Sequence, residues 1–109
     1  MSIYPTLETA MNTKDAEMMI GLLHDDYEFV RHQTGTSMNK DETAEMLKNF
    51  MSSDSMIVHA HRCVYENDDI LVHHSVMDFP DGTKEATMAV YTKKGDKFIR
   101  CETGSTLLK

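Results

Sequence analysis

The spacing of apolar residues changes period along the chain, and the changes mark its elements. Ala16, Met19, Ile20 and Leu23 fall at i, i+3, i+4 and i+7, one face of a helix. After Asp25 and Asp26, which read as a turn, the period drops to two. Tyr27, Phe29 and Arg31 then share one side of a strand, and Glu28, Val30 and His32 share the other. Upstream, Pro5 suits the first turn of a helix that runs to Met11 and buries Leu7, Ala10 and Met11. Asn12 to Lys14 is a tight break, with Thr13 or Asp15 as N-cap of the next helix, so the two helices must be neighbours.

Gln33 to Met38 reads as a loop or a short edge strand. Asn39 with Glu42 three residues on forms a capping-box pattern, with Asp41 and Glu42 at the positive end of the helix dipole. Thr43, Met46, Leu47, Phe50 and Met51 make the buried stripe of this third helix, which ends at Ser52 to Ser55. From Met56 the pattern predicts four strands: Met56 to Tyr65, Ile70 to Phe79, Lys84 to Thr92 and Phe98 to Leu107. Turns at Glu66 to Asp69, Pro80-Asp81-Gly82 and Lys94-Gly95-Asp96 join them. Three helices around one early strand, followed by an antiparallel meander, predict a single α+β domain over residues 1–109.

Both faces of the 56–79 hairpin carry apolar residues. Ile57, Ile70, Val72 and Val76 lie on one, and Met56, Val58, Leu71, Met77 and Phe79 on the other. Helices can cover only one side of the sheet, so a homodimer through its outer face is expected.

Composition narrows the functional classes. A chain of 109 residues supports one modest core. A net charge of -7 with scattered Lys and Arg argues against a nucleic-acid partner, which would need clustered basic residues. No apolar run approaches the ~20 residues of a bilayer span, and the N-terminal stretch lacks the pattern of a secretory signal. The expectation is a cytoplasmic protein with no membrane partner, whose Cys63 and Cys101 are reduced thiols. Ten methionines and no tryptophan have two readings, irregular core filler or the lining of an adaptable apolar pocket.

The phrase AMNTKDAEMMIGLLHDDYEFV resembles the nuclear-transport-factor-2-like superfamily, which includes SnoaL-like polyketide cyclases and ketosteroid isomerases. The resemblance rests on Ala10, Asn12, Asp15, Asp25 and Asp26, and in element order it covers the whole chain. It implies a cone-shaped fold: a curved, mixed but mostly antiparallel sheet, three N-terminal-half helices on its concave face, and a pocket at the open end. It also implies that the parity of Tyr27, Phe29 and Arg31 faces that pocket. Ketosteroid isomerases keep a catalytic Asp on the first strand, an oxyanion-donating Tyr and a protonated Asp. Those positions fall here on Arg31, Leu7 and, near the third, Met88, so the usual steroid-isomerase chemistry is not expected. An Arg does not abstract a proton at neutral pH.

Candidate chemistry then centres on Arg31 and the histidines. A guanidinium between aromatics at the mouth of an apolar cavity suits a carboxylate or an enolate; the alternative is an ion pair with Glu28, Asp25 or Asp26. Four of six histidines lie in one hairpin: His59, His61, His73 and His74. A turn centred on Asn67-Asp68 places His61 opposite His74, on the face shared by His59 and Cys63, with His73 on the other side. Zinc would accept these ligand types, but the spacing matches no standard site, so neither a metal nor another cofactor is expected. Pocket-lining polar residues and histidines at a dimer face remain the two alternatives.

The predicted ligand-binding set is Tyr27, Phe29, Arg31, His59, His61, His74, Met88, Cys101 and Thr103. The last three follow from alternation on the closing strands, anchored by the resemblance. Two functions fit this pattern. One is a domain binding a small, partly apolar, anionic molecule and moving a proton on it through a hairpin His, with Arg31 stabilising the anion. The other is a non-catalytic dimer whose cavity is residual core.

Overall fold

The computed structural model describes residues 2–108. Helix α1 is Tyr4–Thr13, with Pro5 at its start and Lys14 as a left-handed C-cap, φ 52°. Helix α2, Ala16–Ile20, is capped by the Asp15 carboxylate, which accepts from the Met18 amide at 3.0 Å. Leu23, expected on the α2 face, instead opens strand β1, Leu23–Arg31. The Phe98 amide donates to the Leu22 carbonyl and Leu23 pairs with Phe98, so the sheet captures the chain as soon as α2 ends. Asp25 and Asp26 therefore lie inside β1, in an irregular stretch between Leu23 and Glu28, rather than in a turn before it.

An edge strand β2, Thr36–Asn39, leads straight into α3, Lys40–Met51. Both halves of the capping box form: the Glu42 amide donates to Asn39 Oδ1 at 2.9 Å, and the Asn39 amide donates to Glu42 Oε1 at 3.1 Å. Strands β3 (Ile57–Glu66), β4 (Ile70–Asp78), β5 (Lys84–Lys94) and β6 (Lys97–Leu107) complete one six-stranded sheet, ordered β2-β1-β6-β5-β4-β3. All neighbours are antiparallel except β1 and β6. The result is an α+β fold, three helices packed on a curved, unclosed sheet around a core that includes Leu7, Met56, Leu71, Phe98 and Cys101. Among the described residues no helix is long and apolar enough to cross a membrane.

The β3–β4 turn departs from the expected register. Asn67 Oδ1 accepts from the amides of both Asp69 and Ile70, at 2.8 Å each, which makes Asn67 the first residue of the turn and centres it on Asp68-Asp69. Glu66 thus pairs with Leu71, and Leu71, His73, Ser75 and Met77 all face the helices. Register shifts between Cys63 and Tyr65 and between Val58 and Ala60 each let β3 carry one extra residue. These bulges keep Val58, His61 and Cys63 on the inner side while turning His59 outward.

At the end of the inner face beside this turn, Lys93 Nζ donates to Glu66 Oε2 and to the Asn67 carbonyl, both at 2.7 Å. Ser2 Oγ and the Ile3 amide donate to the same carboxylate, which ties the N-terminus to β3 and β5. Burial opposes ionisation of Glu66, but the hydrogen bonds from Lys93, Ser2 and Ile3 outweigh it and hold the carboxyl below its usual range.

Because the Asn67 side chain satisfies two turn amides, Asn67→Ala should lower unfolding free energy by about 1 kcal/mol, while Asn67→Asp keeps most of it. Urea titration of the three proteins checks this, and equal midpoints would show that the backbone alone sets the turn.

Candidate functional site

A cavity of about 150 Å³ opens between the helices and the inner face of β1, β4, β5 and β6. Its roof is apolar and soft. Met11 of α1, Met19 of α2, and Met46, Leu47, Phe50 and Met51 of α3 contribute, joined by Met56, Met77 and Phe79. Unbranched thioether side chains repack at low cost, so this wall can follow the shape of an occupant.

The floor is polar and is set by strand register. His73, Ala89 and Thr103 stand opposite one another across β4, β5 and β6, with Arg31 beside Thr103 on β1. The next row toward the mouth is Ser75, Thr87 and Ser105, where the Thr87 and Ser105 hydroxyls meet at 2.8 Å. Beyond it come Met77 and Glu85. Arg31 Nη2 donates to both Glu85 oxygens, at 3.2 and 3.1 Å, and to Gln33 Oε1 at 3.1 Å. The Glu85 side chain is 5% exposed and that of Arg31 is 37% exposed, so the pair runs from the interior to the rim.

His73 and Tyr91 are further ionisable groups among the lining residues. Burial, with His61 and His74 nearby, pushes the pKa of His73 down to about 4, so the ring is neutral at neutral pH. His61 sits behind it. His61 Nε2 lies 2.7 Å from Asn12 Oδ1, which only an N–H can satisfy, so Nδ1 is its acceptor. Tyr4 Oη at 3.2 Å and His73 Nε2 at 3.4 Å both approach that Nδ1. The ring pair thus connects the cavity floor to the protein surface at Asn12.

Of the nine residues expected to line the pocket, Phe29, Arg31 and Thr103 do so. Tyr27 and Cys101 face the same side but are packed into the core. Burial pushes the Cys101 thiol up to about 12, even with Tyr27 and Tyr91 hydrogen-bonded to it, so it is no nucleophile. His61 points inward without reaching the cavity. His59, His74 and Met88 correct the expectation, since all three lie on the outer face. The β3 bulge turns His59 to Asp78, 3.0 Å away, and the Asn67 turn reverses the parity of His74 and His73. Met88 pairs with His74 and Gly104, whereas its neighbour Ala89 pairs with Thr103, so the alternation on β5 was taken one residue out of step.

Arg31 is ion-paired, but not with the partners proposed from sequence. Glu28 takes Arg100 and Asp25 takes Lys40, while the Asp26 amide donates to His24 Nδ1 at 3.0 Å. Among the described residues no three His, Cys, Asp or Glu side chains converge as a metal site requires. The lining residues that sequence reasoning missed include His73, Ser75, Glu85, Thr87, Ala89, Tyr91 and Ser105 on the sheet. Their signal was the Asn67-Asp68-Asp69 turn, since it fixes the parity of β4 and, through pairing, that of β5 and β6.

Residues 6–101 match the family model of the SnoaL-like domain. No curated protein sequence gives a significant match. Solved structures with the same fold include an NTF2-like protein of unknown function from Burkholderia xenovorans, with TM-score 0.73 and 12% identity over 95% of this chain and 82% of that one. A candidate polyketide cyclase from Streptomyces antibioticus has TM-score 0.70 and 14% identity over 94% and 88%. A protein with a ketosteroid isomerase-like fold from Catenulispora acidiphila, in complex with trimethylamine, has TM-score 0.67 and 16% identity over 94% and 84%. At these identities the likeness is one of fold.

The low pKa of His73 has a consequence for stability. Its folded value lies below the ~6.5 of an unfolded histidine, so the unfolded chain binds the extra proton first. The contribution is fully present above pH ~6.5 and is lost as pH falls toward 4, on the order of 3 kcal/mol. Urea unfolding between pH 7 and 4 should therefore show a shallower acid limb for His73→Gln than for the parent. Parallel limbs would mean that His73 titrates normally.

Proposed function

The chain belongs to the SnoaL-like domain family, and from that premise we propose that it binds a small, partly apolar molecule in the cavity between the helices and the sheet. The observation that carries the proposal is the two-sided lining. A methionine and phenylalanine roof faces a floor of hydroxyls, a neutral histidine and an ion pair. A core without a ligand role gains nothing from seven polar side chains, Arg31, His73, Ser75, Glu85, Thr87, Thr103 and Ser105, turned toward a cavity. The volume suits a molecule about the size of a single ring, as in dry cavities of about 150 Å³ that take up benzene. Some structural relatives support a ligand role, since one holds trimethylamine and another is a candidate polyketide cyclase.

Proton transfer is the chemistry open to such a site. Nδ1 of His73 has no hydrogen-bond partner among the described residues and is free to accept a ligand proton, while Nε2 faces His61. Passing the Nε2 proton to His61 Nδ1 keeps the buried ring neutral and leaves the charge on the more exposed one. The rival is a non-catalytic dimer with a residual cavity, and it predicts no ligand response.

The outer face supports association. Ala60, Val72, Val76, Ala86, Val90 and the 40%-exposed Met88 lie on the side away from the helices, flanked by the exposed Val64 and Tyr65. We propose a homodimer through this face, because a sheet side meant for water would be largely polar.

Two measurements check these readings. In a fragment screen by thermal shift, single-ring compounds should raise the melting temperature of the parent but not of Thr87→Phe, which fills the floor. A screen with no responsive compound would favour the residual-core reading. In light scattering at micromolar concentrations the parent should show the mass of two chains and Val90→Glu that of one. A monomeric parent would count against the dimer.

A further inference from the structure

Arg31 brings a full positive charge to the cavity, but it arrives already matched. Its Nη2 engages both oxygens of Glu85, a carboxylate 5% exposed and facing the same space. The remaining ionisable lining groups are neutral. Burial first, then His61 and His74, keeps His73 uncharged, and burial with Cys101 holds Tyr91 in its phenol form. The exposed Asp81, within electrostatic reach of Arg31, lies in the β4–β5 turn on the solvent side. The lining thus sums to zero charge at neutral pH, while Ser75, Thr87, Thr103 and Ser105 offer hydroxyls that both donate and accept.

We propose that the Arg31–Glu85 pair makes the cavity select uncharged ligands, molecules with an apolar body and a hydroxyl or carbonyl group, over isosteric carboxylates and ammonium ions. This rests on the ligand-binding reading above and names the ligand class for the same site. A ligand carboxylate would have to displace Glu85, leaving that carboxylate buried and unpaired, or sit beside it as a second anion on one guanidinium. Both place an uncompensated charge where little water reaches. An ammonium ion meets the mirror problem, since it must share Glu85 with Arg31. A neutral oxygen meets neither. Among the described residues Nη1 and Nε of Arg31 have no partner, so a carbonyl or hydroxyl can accept from them with the pair intact. The anionic ligand suggested by an isolated Arg31 in the sequence is therefore replaced by a polar, uncharged one.

Three probes of nearly equal size separate the possibilities: benzyl alcohol, benzoate and benzylammonium. Each is titrated at pH 7 into protein carrying 13C-methyl methionine, whose roof residues report occupancy of this cavity. Benzyl alcohol should bind the parent about tenfold or more tightly than either ion. Glu85→Gln should shift the ranking toward benzoate, Arg31→Gln toward benzylammonium, and the double variant should restore the parent's order. Benzoate binding the parent as tightly as benzyl alcohol would overturn the inference while leaving the cavity reading standing, and it needs no variant to fold. Perturbation of the roof methyls by none of the three would overturn the cavity reading itself, and the inference with it.

Discussion

The carbonyl oxygen of the Asn67 side chain holds two turn amides at once, and the chemistry of the inner face depends on that hold. Strand parity has a period of two, so moving the turn by one residue exchanges every inward side chain of β4 for its neighbour. With Asn67 in the first position, Leu71, His73, Ser75 and Met77 meet the helices, and Val72, His74 and Val76 leave them. Pairing carries the choice across the sheet. His73 selects Ala89, Ser75 selects Thr87 and Met77 selects Glu85 on β5, and these select Thr103 and Ser105 on β6. A hydrogen-bonding pattern at one exposed turn therefore determines which polar groups a buried cavity receives.

Among the described residues, two ion pairs on that inner face, Lys93–Glu66 and Arg31–Glu85, have environments that separate structure from site. The Lys93 side chain is 1% exposed, and its ammonium is enclosed by Glu66 and the Asn67 carbonyl beside the turn. Nothing is left for a ligand to contact, and losing either partner would strand a buried charge. Arg31 and Glu85 sit eight residues back along β5, about 26 Å at the usual strand rise. There the guanidinium keeps unengaged donors, and both partners border open volume. The first pair closes one end of the fold around the N-terminus. The second sets the electrostatic character of the other end.

Much of this was legible in the sequence. The α3 capping box, Asp15 as one of two candidate caps and the four-strand meander came from local patterns that tertiary packing left alone, and the inward parity of Phe29 and Arg31 came from strand alternation oriented by the family resemblance. What failed depended on counting across the hairpin. Four consecutive polar residues, Glu66 to Asp69, allow more than one two-residue turn, and periodicity does not say which Asx side chain will cap. Bulges are equally silent in a single sequence, because an extra residue leaves the composition of a strand unchanged. The error placed His74 inside and His73 outside, while Met88 stood where Ala89 belongs for a separate reason, an alternation on β5 anchored only by the resemblance. Leu23 was misplaced for another reason: its spacing fits the α2 face, but pairing with Phe98 outweighs one more helical turn.

The cavity joins a wall that yields to a floor that does not, and the two divide the work of recognition. The floor is built on four hydrogen-bonded strands, with the positions of Thr103, Ser105, Thr87 and Glu85 set by the ladder rather than by side-chain freedom. Polar groups held in this way discriminate, since an occupant that fails to pair with them leaves them unsatisfied at a cost comparable to a lost hydrogen bond. The roof comes largely from three helices, which supply the methionines Met11, Met19, Met46 and Met51, with Met56 and Met77 at the border between roof and sheet. Such a surface accepts several outlines at similar energy. Selection should therefore be strict in the placement and charge of polar groups and loose in the shape of the carbon skeleton. It is the division to expect of a fold that keeps its sheet fixed and varies the side chains facing it.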